Sequence, residues 1–166
     1  MRILATVYSD PEYYPPTLNA VGILAKQSEK IKILSRNIKD KEWDYPKNVE
    51  LVKSGSFKPI RAIEKTNVLW KIASFLKFTF NFYKQIILFK PTWVICYDPI
   101  PLFSYKILSL FLIKKPKLWY HNHDILSIGV TKKYSVGWFA AKFERNSFKD
   151  MAIFSLPAQE RKEYFQ

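Results

Sequence analysis

The chain has 166 residues, 48% apolar and 17% aromatic, with 27 lysines and arginines against 14 acids and a formal charge of +13. Length and apolar content exclude a disordered chain and suit one domain with a real core. The charge excess predicts an anionic partner: nucleic acid, an acidic membrane surface or a phosphorylated ligand.

Arg2–Ser9 is an apolar run that predicts a buried first strand, too short for a signal peptide. Asp10–Pro16 is a loop rich in proline and tyrosine, and Pro16 suits the first turn of a helix over Thr17–Ser28. "KIKILSR" and "NVELVKSG" predict the second and third strands. Glu64–Lys90 contains no proline or glycine and predicts one long helix. "PTWVICYD" is a continuous apolar run, the pattern of a strand buried on both faces. Ile100–Ile113 predicts a helix, "KLWYHNHD" a strand, Val136–Lys149 a helix, "MAIFSL" a strand and "PAQERKEYFQ" the start of another helix. Strand and helix alternate, so the expected fold is α/β: a Rossmann-like parallel sheet with helices on both faces. Residues 1–166 read as a single domain, cut before a further one because the last helix carries no stop signal.

In such a sheet, ligands bind outside the carboxyl ends of the strands. Three ends are polar: "YSD" with Asp10, "YDP" with Tyr97 and Asp98, and "HNHD" with His121, His123 and Asp124. His121 and His123, the two histidines of the chain, fall on one face of a strand and with Asp124 could begin a metal site. A metal needs further ligands that no other histidine supplies, and the single cysteine, Cys96, lies in an apolar run. "HNHD" is similar to the "GNHD" of metallophosphoesterases, but their aspartate–any–histidine motif is absent from the first strand. No metal is expected. No glycine-rich nucleotide loop, Walker loop or Gly-x-Ser-x-Gly elbow is present.

Glu64–Lys90 is apolar over more of its circumference than the ~100° stripe needed to pack on a sheet. The excess predicts a second apolar partner. With Lys71, Lys77 and Lys84 at the margin and Phe78 and Phe82 on the apolar surface, that partner reads as an anionic lipid boundary. "YKILSLFLIKKPK" adds a second apolar helix ending in lysines. A deeply buried helix is the alternative. Nucleic acid would favour arginine and exposed stacking aromatics, whereas lysine dominates here and the aromatics alternate with aliphatics.

"KPTWVICYDPIPLFSYKILSLFLIKKPKLWYHNHDI" and "FERNSFKDMAIFSLPAQERKEYF" together resemble the N-terminal domain of family-4 (group 1) glycosyltransferases. Tyr97 and Asp98 fit the family's first element, Tyr120, His123 and Asp124 its second, and Glu144, Arg145 and Asp150 its downstream element. The resemblance implies the acceptor-side half of a GT-B fold, two Rossmann-like domains facing across a cleft. It implies a retaining enzyme that takes a nucleotide-sugar as donor, needs no cofactor or metal, and works with a lipid-linked or glycan acceptor in surface polysaccharide biosynthesis. It further implies a peripheral location on the cytoplasmic face of the inner membrane. His123 would lie near the transferred sugar, with Asp124 orienting its loop. Asp10, Tyr97 and Asp98 would border the cleft, His121 would sit a step deeper, and Glu144 would be structural. The first loop, "SDPEYYPPT", lacks the glycines many members carry, and the paired-glutamate motif of the donor domain is absent. These 166 residues alone are therefore expected to be inactive. The other reading is a non-catalytic membrane-docking subunit that needs a separate donor-binding chain.

Overall fold

The computed structural model describes residues 1–38, 43–122, 132–144 and 146–156. In chain order these form β1 (Arg2–Val7), α1 (Pro15–Ala25), β2 (Lys30–Arg36), β3 (Val49–Ser54), α2 (Ile60–Glu64), α3 (Val68–Phe89), β4 (Trp93–Tyr97), α4 (Pro99–Ser109), β5 (Lys117–His121), α5 (Val136–Glu144) and β6 (Ile153–Ser155). The strands make one six-stranded sheet in the order β3-β2-β1-β4-β5-β6. All its pairs are parallel, with Ala5 facing Ile33 on one side and Ile95 on the other. The Rossmann-like expectation holds.

Alternation along the strands divides the core in two. Ile3, Ala5, Ile31, Ile33, Ile95 and Tyr97 pack on one face against Val21 and Ala25 of α1. Leu4, Leu34, Val94, Cys96, Leu118 and Tyr120 pack on the other, against α3 and α4. Both faces are thus covered, which is why the central strands read as continuous apolar runs. Cys96 is fully buried, and burial pushes its thiol up to about 12, so it stays an uncharged core residue.

The long expected helix is broken. α2 ends at Glu64, and α3 starts afresh because the Asn67 side chain accepts the Trp70 N–H at 2.8 Å. That bond satisfies one of the free donors of a new helix start. α3 ends on Lys90, at φ 49°, just before Pro91. The expected helix over Val136–Lys149 is shorter, stopping at Glu144, and a 3-10 turn follows at Phe148–Asp150. The helix expected from Pro157 onward lies outside the described residues.

The faces of α3 correct one expectation. Phe78 and Phe82 are 1% and 0% exposed. They point into the sheet with Phe75, Ile86 and Phe89, so they are not membrane-facing. The opposite side exposes Leu69, Ile72, Leu76, Phe80 and Ile87, spaced by three, four or seven residues along one stripe.

Candidate active site

The strand order reverses between β1 and β4, since β2 and β3 lie on one side of β1 and β4 to β6 on the other. Connections leave the sheet in opposite directions there, which opens a crevice outside the carboxyl ends. Asp98 stands at that point, between the end of β4 and the start of α4. Its backbone is at φ 74° and ψ 164°, a region that glycine alone enters freely. Its N–H donates to the His121 carbonyl at 3.1 Å, which continues the β4–β5 ladder one residue past Tyr97. Its carboxylate makes no capping bond to α4. The sequence places Asp98 at a strand end, and the structure adds that the chain there is strained.

His121 ends β5 beside it. Its Nδ1 lies 2.6 Å from the hydroxyl of Ser155 on β6, and that hydroxyl also accepts the Trp119 indole N–H at 2.9 Å. The ring meets Tyr97 edge-on, with centroids 5.5 Å apart. Burial lowers the imidazole's affinity for a proton, so His121 is neutral at pH 7. Tyr97 is only 1% exposed and belongs to the α1-side core. The strand's alternation turns its ring inward, away from the strand-end surface where the sequence expected it.

Beneath the edge lies a buried polar network that the motifs do not reveal. The Tyr120 hydroxyl donates to Glu144 Oε1, and the Asn122 amide donates to the same oxygen and to the Tyr120 hydroxyl. All three are almost fully buried. Burial, then the adjoining Glu144, push the Tyr120 phenol well above its usual range, so it remains a donor. The network ties the carboxyl end of β5 to α5. His123 and Asp124, the expected catalytic pair, lie immediately beyond, outside the described residues. So does Arg145.

Asp10 is 3% exposed at the carboxyl side of β1. Its side chain accepts the Glu12 N–H at 2.9 Å and caps the 3-10 turn Pro11–Tyr13. Lys71, Lys77 and Lys84 are exposed on α3. Asp150 pairs with Lys106 of α4, which places that part of the downstream motif on the surface in an ion pair.

No protein-family model matches the sequence, and no curated protein does. Solved structures match the fold. Sucrose-phosphate synthase from Thermosynechococcus elongatus is similar over 99% of this chain and 44% of its own, with TM-score 0.71 and 8% identity. A second structure of that enzyme is similar over 100% of this chain and 81% of that one, with TM-score 0.66 and 8% identity. The lipopolysaccharide outer core galactosyltransferase WaaB, in its apo form, is similar over 86% of this chain and 37% of its own, with TM-score 0.54 and 14% identity. The likeness is one of fold alone, a Rossmann-like parallel sheet found in these transferases. This chain spans less than half the length of WaaB and of the longer synthase chain.

Proposed function

We propose that this chain is the acceptor-side half of a glycosyltransferase that moves a sugar from a nucleotide-sugar to a membrane-associated glycan or glycolipid. The observation that carries this reading is the strained Asp98 beside His121 at the switch point of a sheet whose fold is shared with a galactosyltransferase. The motif resemblance to family-4 enzymes supports it, since its residues Asp98, Tyr120 and Glu144 fall at or directly under that edge. Because the chain spans less than half of the longer enzymes it resembles, a second body supplies the donor-binding side. That body is either a further domain or a separate chain.

In this reading His123 follows directly from the anchored Asn122 and reaches the sugar. An imidazole there donates a hydrogen bond to sugar hydroxyls or to the charge that develops as the glycosidic bond breaks. Asp124 orients the loop, and Asp98 receives acceptor hydroxyls. The retaining course and metal independence are carried over from the family-4 resemblance. The exposed stripe of α3, with Lys77 and Lys84 on its margin, docks the protein on the anionic cytoplasmic face of the inner membrane. No helix among the described residues is long and apolar enough to cross a membrane, which fits peripheral attachment.

The test supplies the protein, joined to its donor-binding half, with labelled nucleotide-sugars and a lipid or glycan extract. Label entering the acceptor fraction from at least one donor supports the reading. Intact donors throughout, from a correctly folded protein, overturn it.

A further inference from the structure

The carboxyl edge holds a second concavity, centred on the ends of β2 and β3 and away from Asp98. It encloses about 160 Å³ and is lined among others by Arg36, Asn37, Lys58, Trp70, Ser74 and Lys77. Three described lysines outside it pair with acids, Lys30 and Lys32 with Glu50 and Lys106 with Asp150. The concavity gathers three cations, Arg36, Lys58 and Lys77, and no acidic side chain lines it among the described residues. Leaving a half-buried guanidinium without a counter-charge is unfavourable unless an anion completes the site.

Two of the three cations are held in place. Arg36 lies over the Tyr8 ring at 4.7 Å, and Tyr8 itself packs edge-on against Phe75 and Phe78 of α3. Lys58 lies over Trp70 at 4.3 Å. Gly55, at φ 90°, turns the chain after β3 so that the Lys58 N–H reaches the Asn37 carbonyl at 3.0 Å. The Asn37 amide in turn donates to the Gly55 carbonyl at 3.3 Å. Cations ordered on aromatic faces before a ligand arrives lose less freedom on binding.

We propose that this concavity binds a phosphoryl group. A phosphomonoester carries about −1.5 to −2 charges at neutral pH, which three cations match better than they match a carboxylate. The guanidinium offers a two-pronged fit to phosphate oxygens. Sites that enclose a whole small ligand run to roughly 300–1,000 Å³. The volume here admits the phosphoryl group, while the rest of the ligand extends along the edge. The site does not depend on glycosyl transfer, and this chain alone can be tested for it.

Calorimetric titration at fixed ionic strength would use two probes, glucose 6-phosphate and phosphatidylcholine vesicles containing phosphatidic acid. The expected result is saturable binding of at least one probe, weakened about tenfold by Lys77→Gln and by Arg36→Gln. Lys26→Gln, an equal loss of charge beyond the far end of α1, should leave the affinity unchanged. Preference for the soluble probe assigns the phosphoryl group to a phosphosugar, and vesicle binding that Arg36→Gln weakens in a Leu76→Ser, Phe80→Ser background, where the α3 stripe no longer contributes, assigns it to a lipid headgroup. Should Arg36→Gln fail to fold, the exposed Lys77 still decides the matter. Absence of saturable binding to both probes, or equal weakening by Lys26→Gln, overturns the proposal.

Discussion

Asp98 is held in its backbone conformation by its neighbours. Its N–H is committed to the His121 carbonyl, and Pro99 opens α4 directly after it. A non-glycine residue in this region costs about 1–3 kcal/mol. Asp98→Gly should relieve that strain, offset in part by glycine's greater freedom in the unfolded chain. The expected gain is about 1 kcal/mol, or a melting temperature higher by roughly 2–4 °C in a chain of this size. The same variant should lose transfer activity, because the carboxylate is gone. A melting temperature that falls would show that Asp98 is comfortable where it sits and has no need of compensation. Glu144 makes the opposite case. Its Oε1 satisfies two buried donors, so its place under the edge contributes to stability and joins the end of β5 to α5. Asp98 was legible in the sequence, as an acid closing an apolar strand. Glu144 was legible only by resemblance, since 22 residues separate it from Asn122 and no local pattern joins them.

At the scale of elements, α3 shows where periodicity stops being informative. Phe78 and Phe80 differ by two positions, yet the first is 1% exposed and the second 66%. Apolar residues run nearly round the helix, so residue type alone does not say which stripe meets the sheet. Only the packed position of Phe75, Phe78, Phe82, Ile86 and Phe89 does. The break before α3 was more accessible, because Asn67 directly precedes an apolar run and asparagine favours that capping position. The buried strand β4 was fully legible, since a strand covered on both faces reads as uninterrupted apolar sequence. The outward stripe carries its own prediction. Leu76→Ser combined with Phe80→Ser should weaken partition into anionic vesicles roughly a hundredfold or more, given about 1.5 kcal/mol or more for each large apolar side chain buried. Both residues are exposed, so the melting temperature should hold. Unchanged sedimentation with vesicles would assign the stripe to a protein partner.

At the scale of the molecule, the carboxyl edge is the margin to which the proposed functions are assigned. It carries the switch-point crevice with Asp98 and His121, the buried network of Tyr120, Asn122 and Glu144, and the basic concavity beside β2 and β3. The alternating sheet was readable because each strand and helix has its own local period. The concavity was not, because Arg36, Lys58 and Lys77 converge only after β2, β3 and α3 have packed. The +13 charge signalled an anionic partner without saying where it sits. The central claim is that the β4–β5 edge carries out sugar transfer. Its most direct measurement is the rate of sugar transfer by the protein with its donor-binding half, compared with His123→Ala and Asp98→Asn variants of wild-type melting temperature. The account predicts a loss of at least about tenfold in each, the effect of removing one charge-assisted contact to the reacting sugar. Wild-type rates in both variants would contradict it.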